Sequence, residues 1–332
     1  MTQFRNTEQA FLSLLRTIAD VGEEISVRGS VTREITSQQI EITNPRERVV
    51  VIPGRNNNVF ASIAESLWVL AGRDDVAYLE GYLKRAGDYS DDGLTWRGAY
   101  GPRLRNWYGT DQLQQILTIL TDEPASRRAV ATLYDPARDF VDTKDVPCNN
   151  WLHFLRRNGQ LHLHVAARST DIWWGFSGIN IFEWALLLEM MAHWLGDEPG
   201  HLTFTTSSLH LYEQHYPKAI TVLDQETHTA TYPDSDERRV PRFTTPWAQF
   251  DDVLDSWFRL EDQLRTGADL VTLEVPFDDP LLRQYIAMID IYWAFKRGTP
   301  QQDLEFRIAA LGDTDLARAA TEFVNRPNSH SH

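Results

Sequence analysis

The chain has 332 residues, of which 42% are hydrophobic and 24% are charged. It is therefore long enough to bury a large core, and its composition is typical of a globular protein. The net charge of −15 argues against general nucleic-acid binding and against an anionic membrane surface. A single cysteine cannot form an internal disulfide, no apolar run is as long as a membrane span, and the N-terminal residues lack a signal-peptide pattern. We therefore expect a cytoplasmic protein without a membrane segment.

Hydrophobic spacing predicts two helices early in the chain, at residues 9–20 and 59–70, the second ended by Gly72. Between them, residues 27–51 alternate and are rich in β-branched side chains, which predicts strands. Glu65 lies within the second helix. Because glutamate is rarely buried, the general expectation is a solvent-exposed position for its carboxylate.

The next part of the chain combines a polar, loop-like segment at residues 87–101 with a predicted helix at residues 112–120. Arg127 and Arg128 then precede a β-type run at residues 129–134. Two adjacent arginines usually lie on the surface. The alternative is a phosphate clamp, because guanidinium donors match the geometry of phosphate oxygens.

A predicted hairpin in the middle of the chain contains the only cysteine. Asn158 and Gly159 form its turn, since Asn-Gly between two strand-like runs is a strong hairpin signal. The turn brings Cys148, at one end, close to Arg168 and Ser169 at the other. A lone cysteine is more often a small buried hydrophobic residue. The alternative is a thiolate nucleophile beside an anion-binding pair, which would attack a substrate that carries a phosphate. The two strand-like runs are residues 151–155 and 160–166.

A long apolar helix is predicted from residue 181 to residue 196, with Asn180 at its start as an ordinary N-cap. A strand at residues 202–206 leads into a segment that contains His210 and His215. Histidine is a common metal ligand, so these two residues are candidates on the basis of residue type alone. No second cluster with metal-like spacing accompanies them, so we expect no metal site.

The C-terminal third of the chain predicts mainly helices, at residues 250–265, 279–295 and 302–324. A charged, proline-bounded loop is expected at residues 233–241, and a disordered tail at residues 325–332. No internal repeat and no glycine-rich phosphate loop is present in the sequence.

Taken in chain order, seven short motifs resemble those of the thymidylate synthase family, over about residues 28–212. Any one of them is a weak signal, but seven in the same order make chance an unsatisfactory explanation. The motifs are ESLWVLAGRDDVAYL (65–79), AYGPRLRNW (99–107), SRR (126–128), PC (147–148), RS-D followed by a glycine (168–175), NIFEWALL (180–187) and SLHLYEQH (208–215).

This resemblance implies an α+β fold in which a large mixed β-sheet is flanked by helices, and a homodimer packed through that sheet. It also implies one catalytic domain over residues 1–324. The substrate would be a pyrimidine nucleoside monophosphate, and the co-substrate would be 5,10-methylenetetrahydrofolate.

The resemblance assigns roles to individual side chains. Cys148 would add to C6 of the pyrimidine, and Glu65 with Tyr100 would manage protons through ordered water. Asp171 and Gly175 would contact the folate. The residues that would bind the nucleotide are Arg28, Arg168 and Ser169 at the 5′-phosphate, Arg127 and Arg128 of the partner subunit at the same phosphate, His210 and Tyr212 at the sugar 3′-hydroxyl, and Asn180 at the base edge.

The departures from the family pattern are informative. Asn149 follows the nucleophile where the family has histidine, and Ala167 stands where it has glutamine. The segment between Gly175 and the following helix is one residue longer than usual, so either Ile179 or Asn180 reads the base. The sequence also ends without the short apolar tail of thymidylate synthases.

These departures predict a looser site in which water, rather than hydride from the folate, completes the reaction. We therefore expect the hydroxymethylase branch of the family, which produces a 5-hydroxymethyl pyrimidine nucleotide. CMP or dCMP is the preferred substrate, as in enzymes of nucleoside-antibiotic pathways. The alternatives are a thymidylate synthase acting on dUMP and a non-catalytic nucleotide- or RNA-binding relative. The presence of both Cys148 and Glu65 argues against the non-catalytic alternative.

Overall fold

The computed structural model describes residues 1–225, 230–232 and 240–326. The predicted loop at 233–241 and the predicted disordered tail at 325–332 lie outside the described residues, except for residues 240–241 and 325–326. Within it, no helix is long and apolar enough to cross a membrane.

The fold is a mixed eight-stranded sheet flanked by helices, as the α+β expectation required. The strand order is β1-β3-β8-β6-β5-β4, with β2 paired to β3 and β7 paired to β8. Strand β6 runs parallel to β8, whereas β3 and β5 run antiparallel to their neighbours β8 and β6. The strands are β1 Thr2–Phe4, β2 Glu23–Val27, β3 Ser30–Ile42, β4 Val130–Thr132, β5 Asn149–Arg157, β6 Gln160–Ala167, β7 Thr170–Asp171 and β8 Glu198–Tyr212.

The helices agree with most of the predicted ranges, and their ends differ by a few residues. They are α1 Thr7–Val21, α2 Val59–Leu70, α3 Val76–Leu79, α4 Tyr100–Arg105, α5 Gln112–Asp122, α6 Pro136–Asp139, α7 Ile181–Leu195, α8 Tyr216–Leu223, α9 Trp247–Arg265, α10 Pro280–Lys296, α11 Gln301–Ala309 and α12 Asp315–Val324. A π-helix, Ile172–Asn180, leads directly into α7.

Two predicted boundaries are wrong. The single helix expected at residues 302–324 is two helices, α11 and α12, because the chain turns at Gly312, whose φ of 71° is left-handed. The strands expected up to residue 51 end at Ile42. Beyond that point the backbone of the buried residues Val49 and Val51 bonds to side chains instead, with Tyr232 Oη accepting from the amide of Val49 at 3.0 Å.

The central hairpin forms as predicted. Asn158 (φ 54°) and Gly159 (φ 72°) are both left-handed, as a two-residue type I′ turn requires. The turn sets the register of β5 and β6 as far as Trp151, opposite Ala166, and a shift of one residue between Trp151 and Asn149 then brings Asn149 opposite Ala167. The amide of Arg168 then donates to the carbonyl of Cys148 at 2.9 Å, which places the thiol and the guanidinium at the same end of the sheet.

Helices α2 and α7 pack against each other, and nearly all of their residues are buried. Two expectations about these helices fail. Every residue of α2 is buried, including Glu65, so the solvent-exposed position is wrong. Asn180 is not an N-cap, because the preceding π-helix already carries it into helical φ and ψ and its side chain makes no capping bond.

The short helix α4 is held by a buried ion pair. Arg103 and Asp139 are joined at 2.7 and 2.8 Å, both side chains are fully buried, and the guanidinium also donates to the carbonyl of Leu133 at 2.6 Å. Because α4 begins with Tyr100, this pair also positions that side chain.

We predict that Asp139→Ala destabilises the protein by about 3–5 kcal/mol, because it leaves a buried guanidinium uncompensated. Urea denaturation followed by circular dichroism measures this loss. The control is Asp88→Ala, which breaks the solvent-exposed ion pair with Arg85 and should leave the unfolding midpoint unchanged. Equal midpoints for the two variants would contradict the prediction.

Candidate active site

The thiol of Cys148 lies immediately before β5, partly exposed, beside the guanidinium of Arg168. Arg168 is anchored to the segment that carries the cysteine: Nε donates to the carbonyl of Pro147 at 3.1 Å and Nη2 to that of Val146 at 2.9 Å. Nη1 donates to Ser169 Oγ at 3.0 Å. The described residues thus use three of the five N–H donors, and the solvent-exposed guanidinium retains two for an anion.

Opposing effects act on the thiol. Burial raises the pKa of Cys148, and the neighbouring carboxylates of Asp145 and Asp171 raise it further, whereas Arg168 and the hydroxyl of Ser169 lower it. Burial dominates, so the pKa of the thiol lies above its usual value. The expected stabilisation of the thiolate by nearby guanidinium is therefore present for Arg168 but is outweighed.

Tyr100 connects the nucleophile segment to the core. Its Oη accepts hydrogen bonds from the backbone amide of Asn149 at 3.2 Å and from Asn149 Nδ2 at 2.6 Å, and its ring packs against Trp184. Burial, with Cys148 and Glu183 nearby, holds the pKa of Tyr100 well above its usual range. Tyr100 is thus a neutral hydroxyl that retains its own proton for donation. The side-chain oxygen of Asn149 is buried and has no partner among the described residues.

Glu65 lies in α2, 8% exposed. Burial, and then the charge of Asp145, raise its pKa to about 8. The carboxyl is therefore mostly protonated at neutral pH, and it becomes a proton acceptor only as the pH approaches 8. The main cause is that burial removes water from the charged form of the carboxyl.

Glu183 is a second buried carboxyl, which the sequence analysis did not single out. It is 2% exposed, and neither of its oxygens has a hydrogen-bond partner of good geometry among the described residues. Burial, followed by repulsion from Glu65, holds its pKa well above the usual range, although the amide of Asn180 lowers it. The available signal was a carboxylate in an apolar helix, a feature that Glu183 shares with Glu65 and with Glu189 of the same helix.

The segment with one extra residue is the π-helix. A π-helix has more residues per turn than an α-helix, so this conformation can take up an additional residue. Asp171 caps it, with its carboxylate oxygens accepting from the amides of Trp173 and Trp174 at 3.0 and 2.9 Å. Gly175 is required there, because a Cβ would lie 2.7 Å from Thr170 Oγ1. The side-chain oxygen of Asn180 lies beside Gly175, which brings Asn180 into the site.

Arg55 is another residue that sequence reasoning missed. It is 3% exposed, and its Nη2 donates to the carbonyl of Trp173 at 2.6 Å and to Ser177 Oγ at 2.8 Å. Burial lowers its pKa to about 9. Ser62 of α2 bonds to the carbonyl of Gly178 at 2.7 Å. These contacts hold the π-helix against the core.

The end of β8 contributes the histidine and tyrosine of the H-x-Y motif. His210 pairs with Asp171 of β7 in the sheet, and its ring meets that of Tyr212 edge-on at 5.3 Å. Burial lowers the pKa of His210, so its ring is neutral near pH 7. Burial, followed by the charges of Asp171 and Cys148, raises the pKa of Tyr212. The effect of Cys148 indicates that this hydroxyl lies near the thiol.

Three predicted phosphate ligands are not brought to the thiol within this chain. Arg127 and Arg128 are exposed, and Arg128 forms an ion pair with Glu123 at 2.9 Å. They precede β4, and Val130 of β4 pairs with His153 of β5. The rise per residue along these strands therefore places both arginines about 20 Å or more from Cys148. Arg28 occupies the exposed turn between β2 and β3, beyond the end of β8. The other predicted residues, Cys148, Glu65, Tyr100, Arg168, Ser169, Asp171, Gly175, Asn180, His210 and Tyr212, form one cluster.

The sheet carries a thiol beside an anchored guanidinium, and the helices α2 and α7 carry buried carboxyls. The family model described as thymidylate synthase matches residues 9–245, and the chain belongs to this family. It is a one-carbon transferase.

Three proteins that are similar to this chain carry the same name. The chain is 37% identical to the deoxyuridylate hydroxymethyltransferase of Bacillus phage SP01, over 77% of this chain and 73% of the relative. It is 29% identical to the protein of the same name from Delftia phage PhiW-14, over 90% and 88%, and 31% identical to that of Pseudomonas phage M6, over 85% and 81%.

We predict that Arg168→Met raises the pKa of Cys148 further, because the guanidinium lowers it in the wild-type protein. The rate of alkylation by iodoacetamide across a pH series measures the thiolate fraction, and the single cysteine makes the signal unambiguous. The alkylation curve should move to higher pH. Arg127→Met is the control and should leave the curve in place; a curve unmoved in Arg168→Met would disprove the prediction.

Proposed function

We propose that the protein hydroxymethylates C5 of a pyrimidine nucleoside monophosphate, with 5,10-methylenetetrahydrofolate as co-substrate and deoxyuridylate as the leading substrate. The single observation that carries the proposal is the cluster of one nucleophilic thiol, an anchored arginine and a buried carboxyl of raised pKa, in a chain whose relatives are named deoxyuridylate hydroxymethyltransferases.

The proposed chemistry begins at the thiol. Cys148 adds to C6, which makes C5 nucleophilic enough to take the one-carbon unit that the folate supplies. Glu65 and Tyr100 hold and move the protons, because the first is a carboxyl poised near pH 8 and the second a neutral hydroxyl next to the nucleophile segment. Water then adds to the exocyclic methylene of the base, and Cys148 leaves.

The nucleotide is proposed to lie between the ends of the hairpin and β8. Arg168 offers to the 5′-phosphate, beside Ser169, the two donors that the described residues leave unused. Arg28, in the exposed turn beyond the end of β8, stays a predicted phosphate ligand. His210 and Tyr212, which are adjacent in space at the end of β8, bind the sugar 3′-hydroxyl.

Asn180 is the proposed base-reading residue, rather than Ile179, since its side chain lies beside Gly175 and Glu183. A carboxamide donates to O4 of uracil and accepts from N3–H, and it also accepts from N4–H of cytosine. Asn180 is therefore compatible with both bases. The names of the relatives favour uracil, and the cytosine preference expected from the sequence, CMP or dCMP, is kept as the alternative.

The residues near Asp171 fit a folate. The carboxyl of Asp171 has its pKa raised by burial to about 6, and the neighbouring indole of Trp174 is 43% exposed. A carboxylate beside an exposed aromatic face matches a flat ring system with N–H donors. Gly175 of the same π-helix completes the proposed folate contact, and a Cβ at this position would lie 2.7 Å from Thr170 Oγ1.

Hydroxymethylation, rather than methylation, is supported by the residues around the thiol. Asn149 replaces the bulkier histidine of the family, and the π-helix reshapes the segment opposite it. Hydride transfer demands that water be excluded. A site with several buried polar atoms that lack partners, among them Asn149 Oδ1, favours water instead.

A homodimer packed through the sheet would complete the phosphate site. Arg127 and Arg128 are exposed and far from the thiol of their own chain, which suits a role across an interface. Val130 and Trp151 on the neighbouring strands β4 and β5 are 43% and 38% exposed, an apolar surface that a partner subunit would cover.

We likewise propose one catalytic domain over residues 1–324 and a cytoplasmic location, which suits a thiol enzyme.

We predict that dUMP, incubated with methylenetetrahydrofolate in heavy-oxygen water, yields 5-hydroxymethyl-dUMP that contains the heavy oxygen. Mass spectrometry of parallel reactions with dCMP, UMP and CMP identifies the preferred base and sugar, and tritium release from C5 follows the first half of the reaction. Cys148→Ala should release none. A methyl product with dihydrofolate would identify a thymidylate synthase, and no release from any nucleotide would identify a non-catalytic relative.

We predict that Cys148→Ala and Arg127→Ala chains, each nearly inactive alone, regain activity when mixed, because one of the two sites in a mixed dimer has both residues. Tritium release against mixing ratio measures the recovery, which approaches about a quarter of wild-type activity at equal amounts on simple statistical pairing. A mixture of Cys148→Ala and Cys148→Ser chains is the matched control and should stay inactive. A monomer in sedimentation velocity would refute the shared site.

A further inference from the structure

Glu183 has no part in the chemistry proposed so far, and its position is energetically unfavourable. It is 2% exposed in α7, one turn beyond Asn180, and both carboxyl oxygens lack a good partner among the described residues. Burying a carboxyl without hydrogen bonds is costly even when it is protonated. Such a group is retained where a ligand or a water satisfies it during function.

The groups that face Glu183 come from three helices. Glu65 lies opposite on α2, Tyr100 approaches from α4, and Asn180 precedes it on its own helix. Asp145 acts on the far side of Glu65. Within the described part of the chain, no cation lies among these groups around Glu183. Desolvation and the acidic neighbour Glu65 therefore keep the carboxyl protonated, and no ion pair stabilises its charged form.

Further buried polar atoms around Tyr100 lack partners. Asn149, whose amide donates to Tyr100 Oη, has a buried Oδ1 without a hydrogen bond. Trp184, whose ring packs on that of Tyr100 at 5.3 Å, has a buried Nε1 without one. With the two oxygens of Glu183, the cluster offers acceptors and a donor. A buried water forms two to four hydrogen bonds, which such a cluster can supply.

We infer that Glu183, together with Glu65, holds the water molecule that adds to the exocyclic methylene of the bound base. The inference rests on the proposed function. The water oxygen forms a bond to the methylene carbon, and its proton passes to the carboxylate of Glu65. The electron pair of the exocyclic double bond moves through C5 to O4 as an enolate. Return of that pair re-forms the C5–C6 double bond and expels Cys148 as the thiolate.

The two carboxyls have different roles because their proton affinities differ. Glu183 keeps its proton at working pH and orients the water as a neutral group. Glu65, whose pKa is about 8, takes the proton in its ionised form. Release of the hydroxymethyl product should therefore increase as the pH rises towards 8, while Glu183 stays neutral.

The test compares two rates in each variant: tritium release from C5, which reports the first half of the reaction, and formation of the hydroxymethyl product. In Glu183→Met, whose side chain has a similar volume but cannot bind water, we expect the ratio of product to tritium to fall at least about tenfold. The stranded methylene should then be trapped by added 2-mercaptoethanol as a thioether product. Glu183→Gln, a polar neutral group, should recover at least half of the wild-type ratio.

A second measurement does not depend on activity. Glu183→Met removes an unpaired buried carboxyl, so its melting temperature should rise by about 2–4 °C, whereas Met190→Leu, a buried apolar exchange in the same helix, should change neither the melting temperature nor the ratio. An unchanged ratio in Glu183→Met, a ratio in Glu183→Gln as low as in Glu183→Met, or a lowered melting temperature would each overturn the inference. A wild-type protein that makes no hydroxymethyl product would instead refute the proposed function, and the melting comparison would still report on the carboxyl.

Discussion

The backbone bond from the amide of Arg168 to the carbonyl of Cys148 is the contact on which the site depends. It exists because the Asn158-Gly159 turn pairs β5 with β6 as far as Trp151 and Ala166, and a shift of one residue between Trp151 and Asn149 then brings Cys148 beside Arg168. Arg168 reinforces the same segment through the carbonyls of residues 146 and 147. The thiol and the guanidinium therefore belong to one hydrogen-bonded unit.

Behind this unit, the protein buries groups that prefer water. Glu65 and Glu183 lie between α2 and α7, and the described residues provide neither with a cation. The cost is a loss of stability, which a large apolar core can tolerate, and the gain is a pair of carboxyls that hold protons at neutral pH. Chemistry that adds water to a carbon atom needs such groups close to the substrate and away from bulk solvent.

The π-helix joins the sheet to α7 and is held against the core. Asp171 caps its start, and Arg55 and Ser62 bond to it from the core side. Helix α7 packs against α2, which buries Glu183 near Glu65. The winding of this segment places Asn180 next to Gly175 without a capping bond.

The sequence by itself determined the local elements and the identity of most site residues. Alternating and helical patterns act over a few residues, and for this reason the central hairpin, α2 and α7 follow directly from them. Motif order, rather than periodicity, assigned Cys148, Arg168 and Asn180 to one site. Only the tertiary structure decided which charges are buried, since burial depends on what packs against a helix and not on the helix itself. Glu65, expected on general grounds at the surface, and Glu183, which drew no attention, become proton-holding groups because α2 and α7 face each other. The π-helix that precedes α7 leaves Asn180 without a capping bond, and burial outweighs Arg168 in its effect on the pKa of the thiol.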